Sequence, residues 1–247
     1  MDAFHVRAEK VVVDGVERSI VTPGGLEIGL VTAGHGAPLL LVHGGIGSAR
    51  RWSTIWPHLT AHWRVSAMDR RGRGSSSDRE AYSAAGESAD IAAIAARLAE
   101  DHDGPIDVFA HGIGATFTIG AAASTNDFRR IVLYEPPGAA AISSDGWADR
   151  VASAAAEGRA DDVATFAREA RALESIDLVA AARSITVPVM LMLGSQSPEW
   201  ARDITKSLAE TIPKAEVATL VGEGHEAIDT APEIVVRQLE RFLEDGR

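Results

Sequence analysis

Short β-branched or leucine-rich runs bounded by glycine or proline recur along the chain, and further on they alternate with segments of helical periodicity. That alternation restricts the fold more than any other feature. The runs are Leu26–Thr32, Pro38–Val42, Trp63–Met68, Ile106–Ala110, Arg130–Tyr134, Val187–Leu193 and Glu216–Val221. The helical segments are Glu87–Glu100, Thr116–Ala123, Glu199–Ile212 and Pro232–Leu243. Leu39–Val42 and Val187–Leu193 have no polar face, as in a parallel sheet covered by helices on both sides. The pattern predicts an α/β chain with a mostly parallel, doubly wound sheet. The segment Pro136–Thr186 breaks the rhythm. It is Ala-rich and charged, with helices expected near Trp147–Ala156, Asp161–Leu173 and Ile176–Ala182. An insertion there sits above the C-terminal strand ends, where such sheets bind ligands. The expected division is therefore a core of residues 1–135 and 187–247 with a small helical lid, 136–186.

Composition narrows the chemistry. The 247 residues contain no Cys, which excludes disulfides, thiol catalysis and cysteine-ligated metals. A net charge of −11 argues against nucleic acid or an anionic membrane as partner. The start, MDAFHVRAEK, has no signal-like apolar core, and no run approaches the ~20 apolar residues of a membrane span. The expectation is a cytoplasmic protein with a small-molecule substrate. Its eight histidines are scattered and show no metal cluster, so neither metal nor cofactor is expected. Oligomeric state is not readable.

Four strand ends carry functional residue types. His43-Gly44-Gly45-Ile46-Gly47-Ser48 can bring backbone N–H groups to an oxyanion or a phosphate, and it is equally readable as a plain turn. It lacks both the P-loop ending and the dinucleotide glycine spacing. In Asp69-Arg70-Arg71-Gly72-Arg73-Gly74 three arginines could hold a phosphate; a turn pinned by an Asp–Arg pair is the preferred reading. Ala110-His111-Gly112-Ile113-Gly114 has the small neighbours of a sharp strand–turn–helix elbow. Gly222-Glu223-Gly224-His225 puts a histidine on the loop before the last helix.

Together these segments resemble the α/β-hydrolase family across nearly the whole chain, including a Leu-Tyr-Glu-Pro-Pro stretch at Leu133–Pro137. The resemblance implies an oxyanion hole from Gly45 and Ile113, an elbow apex at Gly112 and a catalytic histidine at His225. Two departures matter. The family carries Ser, Asp or Cys at the apex, and Gly112 offers no nucleophile. The loop Gly194–Glu199 lacks the usual Asp; some members of the family draw the acid from the end of the preceding strand instead, where the resemblance implies Glu135 as partner for His225; alternatively Glu135 caps the start of the lid. His43, Gly44, Ile46, His111 and Trp147 are expected around the cavity, with Trp147 and Phe166 enclosing it in apolar surface. Three readings stay open. The chain is an enzyme using His225 for acid–base chemistry without a covalent step (lyase, cyclase or direct hydrolysis), a non-catalytic binding protein, or an esterase whose Ser was replaced by Gly112.

Overall fold

The structure, a computed structural model, describes residues 11–13, 15–138, 141, 151–152, 155–156 and 160–244. Their strands form one nine-stranded sheet in the order β1-β2-β3-β5-β4-β6-β7-β8-β9. The strands are β1 (Val11–Val13), β2 (Val16–Val21), β3 (Ile28–Ala33), β4 (Ala37–Val42), β5 (Trp63–Met68), β6 (Ile106–His111), β7 (Phe128–Tyr134), β8 (Val189–Gly194) and β9 (Ala215–Leu220). β1, β2, β3 and β5 pair antiparallel, whereas the pairs from β5 through β4 to β9 are parallel. The helices are α1 (Trp56–His62), α2 (Ala84–His102), α3 (Ile113–Ala122), α4 (Ala160–Leu173), α5 (Leu178–Ala182), α6 (Glu199–Thr211), α7 (Ala227–Thr230) and α8 (Pro232–Glu244).

The two-residue alternation of β4 shows why the sheet is covered twice. Leu40 and Val42 pack with Ile91, Ile94 and Phe117 of α2 and α3, while Leu39 and Leu41 pack with Leu59, Val235 and Leu239 of α1 and α8. All four β4 residues are fully buried. The order β5-β4-β6 makes β4 the point where the chain changes direction across the sheet. The loops after β4 and β6 therefore open side by side, with Val42 in register with Ala110.

The sequence reading placed no strand before Leu26; the structure adds the hairpin β1–β2, in which Val13 faces Val16. Asp14-Gly15, between two valine-rich stretches, was the available turn signal. α2 begins at Ala84 rather than Glu87, because Ser83 accepts the Gly86 N–H as its cap. α3 begins directly at Ile113. Between β7 and β8 the described helices are α4 and α5, on the segment expected to be a lid; the expected Trp147–Ala156 helix falls mostly outside the described residues.

Gly114 is where α3 crosses β4 most closely: a Cβ there would stand 2.3 Å from the His43 carbonyl oxygen. Gly114→Ala is expected to destabilise the fold by about 1–3 kcal/mol through overpacking. Urea unfolding followed by circular dichroism measures it.

Candidate active site

β6 ends at His111, and the chain turns at Gly112 with φ 54° and ψ −131° before α3 begins. A left-handed φ favours glycine and holds the tight bend. The Gly112 N–H donates to the Tyr134 carbonyl of β7, 2.9 Å away, which fixes the corner against the sheet. Facing it is His225, on the loop between β9 and α7. A Cβ on Gly112 would lie 3.4 Å from His225 Nε2 and 3.7 Å from Gly44 Cα. The bend, the histidine and the glycine loop thus meet at one point.

His225 Nδ1 lies 2.6 Å from Glu135 Oε2. A carboxylate accepts, so Nδ1 carries the hydrogen and the imidazole lone pair sits on Nε2, the nitrogen that faces Gly112. Glu135 is fully buried, and its other oxygen accepts the Gly194 N–H at 2.8 Å and the Ser197 hydroxyl at 2.5 Å. Its φ of 47° is rare for a residue with a side chain. The Gly194–Glu199 loop, which has no acid in the family's place, thus contributes Ser197 as a donor to the acid brought from β7. Ser197 was not anticipated; a small hydroxyl in a loop gives no signal of a partner so distant in sequence. Neither was Trp200, whose ring meets the His225 ring edge-on at 6.1 Å.

A cavity of about 180 Å³ opens here, lined by Gly44, Gly45, Ile46, Arg51, His111, Gly112, Ile113, His225, Glu226 and Asp229. Gly45 and Ile113, the expected oxyanion donors, thus border the same space as His225. Ile113 is the first residue of α3, where helix N–H groups lack intrahelical partners and the dipole favours negative charge. His111 stacks on His225 at 4.4 Å between ring centroids, and its Nε2 donates to the His225 carbonyl at 3.1 Å. Arg51 was not anticipated: its guanidinium contacts both Asp229 oxygens at 2.7 Å and Glu226 at 3.0 Å, tying the segment after β4 to the histidine loop.

Other expectations need correction. His43 does not line the cavity. Its Nδ1–H donates to the Gly44 carbonyl at 2.8 Å and its Nε2 accepts the Arg70 N–H at 3.0 Å. Both ring nitrogens are thereby used by the backbone. Burial, reinforced by the Arg70 charge, holds this imidazole well below the ordinary histidine range. Because the unfolded chain protonates first, the contribution of His43 is full above its ordinary value of 6.5 and is lost as pH falls below it. Melting temperature is expected to drop on acidification through that window, less steeply in His43→Asn.

Among the described residues Asp69 pairs with no arginine; its carboxylate accepts the Ala49 N–H at 2.6 Å and the Ser75 N–H at 2.9 Å. Arg71 instead reaches Asp90 and Arg70 reaches Glu87 and Glu169, which excludes the open phosphate cradle. Trp147 lies outside the described residues. Phe166 is buried against Gly45, and the described part of the cavity wall is largely polar; the expected enclosure by Trp147 is not among the described residues.

The model of the family described as "Alpha/beta hydrolase family" matches residues 39–238. The chain belongs to the alpha/beta hydrolase family. An alpha/beta hydrolase from Sphaerobacter thermophilus DSM 20745 superposes with a TM-score of 0.70 at 28% identity, over 90% of this chain and 98% of that one. E-2-(acetamidomethylene)succinate hydrolase gives 0.77 at 25% identity, over 93% and 99%. The 2-hydroxy-6-oxo-6-(2'-aminophenyl)hexa-2,4-dienoic acid hydrolase of Metapseudomonas resinovorans is 44% identical over 62 residues. That match spans 24% of this alpha/beta hydrolase and only 21% of the relative. Among the described residues no helix is long and apolar enough to cross a membrane.

Proposed function

We propose that this alpha/beta hydrolase is an enzyme acting on a small organic carbonyl, ester or lactone by acid–base chemistry at His225, without a covalent intermediate. The observation that carries the reading is His225 Nε2 facing a bare Gly112 while Nδ1 is held by buried Glu135. A serine there would receive the imidazole's help; in its place is space for a water, which needs about 30 Å³, or for a substrate C–H or O–H.

In the hydrolytic form, Nε2 takes a proton from that water as its oxygen attacks the carbonyl carbon. The negative charge gathers on the carbonyl oxygen, beside the Gly45 and Ile113 N–H groups. Collapse expels the leaving group, which takes the proton back from the imidazolium. Lyase or cyclase chemistry uses the same base on a substrate proton. General-base assistance contributes typically about 10²–10⁴-fold and an oxyanion donor about 10²–10³-fold, enough together for an activated substrate. Two of the relatives named above are by name hydrolases of small organic acids, which supports the substrate size. The segment 136–186 serves in this reading as a lid over the site, and the protein needs no cofactor.

The test is a screen of the unmodified protein against lactones, activated esters, epoxides and β-dicarbonyl compounds, by chromatography of products. Turnover of one of these classes is expected. Binding without any turnover would replace the proposal with the non-catalytic reading. On the substrate found, Glu135→Gln is expected to lower kcat on the order of 10²–10⁴-fold with KM little changed, because the amide can hold the wrong imidazole tautomer.

A further inference from the structure

Beneath the His43–Ser48 loop lie four ionisable side chains sealed from solvent: Arg70, Arg73 and Glu87 from the core and Glu169 from α4, each 0% exposed. Arg70 is the hub. Its Nη2 stands 2.5 Å from Glu169 Oε1 and donates to the Gly44 carbonyl at 3.3 Å, while its Nη1 lies 3.4 Å from Glu87 Oε1. Arg73 reaches the same Glu169 oxygen at 3.1 Å. The second oxygen, Glu169 Oε2, has no hydrogen-bond partner among the described residues. It sits 3.4 Å from where a Cβ on Gly45 would stand, and the Phe166 ring, one turn earlier on α4, is 2.9 Å from that position. One inserted helix therefore rests a ring and a carboxylate on the glycine expected to donate to an oxyanion.

Charges are an expensive way to dock a helix. Desolvating them offsets much of their attraction, and apolar side chains of similar volume usually hold as well or better. Full burial pushes the Glu169 carboxyl up from the usual carboxylate range, against the pull of Arg70 and Arg73. What the charged arrangement supplies and an apolar one would not is direction. A single guanidinium nitrogen bridges the carboxylate of α4 to a carbonyl of the glycine loop, the one that His43 Nδ1–H also holds at 2.8 Å. Gly44 and Gly45 have no side chains with which to fix themselves, yet oxyanion stabilisation depends on donors held in place before reaction.

We propose that Glu169 is a positioning residue for the oxyanion loop: through Arg70 it holds the Gly44 carbonyl and so fixes the Gly45 N–H, as long as α4 is docked. The inference rests on the proposed role of Gly45 as an oxyanion donor. A substrate that displaces α4 on entry would find this donor set completed only when the helix returns, as in lid closures that finish a catalytic site.

The test uses the full chain with Glu169→Gln, which keeps the size and removes the charge. Amide hydrogen exchange by NMR at Gly44, Gly45 and Ile113 reads the loop directly. Hydrolysis of p-nitrophenyl acetate in a Gly112→Ser background reads the oxyanion site without knowledge of the natural substrate. The expected result is about tenfold or faster exchange at Gly44 and Gly45 with Ile113 unchanged, and kcat lower by about 10–100-fold with KM within about twofold. The quadruple variant Arg70→Met, Arg73→Met, Glu87→Gln and Glu169→Leu, in which no charge of the cluster remains, is expected to recover melting temperature but not Gly45 protection. Wild-type exchange at Gly45 in Glu169→Gln, or recovery of stability and protection together in the quadruple variant, overturns the proposal. Faster Gly45 exchange with an unchanged rate keeps the Glu169–Arg70–Gly44 link and removes the oxyanion role of Gly45 from the proposed function instead.

Discussion

Gly112→Ser is expected to turn this protein into an esterase, raising hydrolysis of p-nitrophenyl acetate by about 10²–10⁴-fold. The reasoning is geometric. A Cβ at this position makes ordinary contact with His225 Nε2, at 3.4 Å, so a hydroxyl on it falls within reach of the nitrogen that holds the lone pair. The left-handed backbone, φ 54°, costs a side chain about 1–3 kcal/mol, and the melting temperature should fall by several degrees. A fluorophosphonate probe should label the variant and leave the parent untouched. Failure to gain both hydrolysis and labelling would mean that Gly45, Ile113 and His225 do not converge on a carbonyl at this bend.

His225→Ala should lower turnover of the natural substrate by about 10²–10⁴-fold, the usual worth of a positioned general base. The loss should fall on kcat and spare KM, because the imidazole acts on a proton in flight more than on the bound ground state. Steady-state kinetics separate the two parameters. Unchanged kcat would take His225 out of the reaction, leaving the Glu135–His225 pair a structural tie.

These outcomes depend on contacts that were unequally legible in the chain itself. The parallel sheet was readable because burial on both faces removes the polar residues that would otherwise alternate, as in Leu39–Val42. The bend at Gly112 was readable because a strand–turn–helix corner needs small residues next to one another in sequence. Glu135 could be named beside His225 only through the family resemblance, since some members take the acid from the end of this strand and Gly194–Glu199 contains none where one was expected. The structure brings the two within 2.6 Å. The N-terminal hairpin was missed despite Asp14-Gly15, because its short strands sit beyond the alternating region that dominates the pattern. The partners of the arginines were not legible at all. Arg70 and Glu169 are 99 positions apart, and side chains that seek water when alone give no sign that they will be sealed together. The same holds for Arg51, which meets Asp229 across 178 positions.

The most direct test of a reaction centred on His225 with no nucleophile at the bend is rapid-quench intact-mass spectrometry of the wild-type protein during turnover of the substrate class found by the screen. The account predicts an unmodified 26.0 kDa chain at every time point, including those where product forms fastest. A substrate-sized adduct that appears and decays at the rate of turnover, mapped to any residue from Ala110 to Ile113, would contradict it.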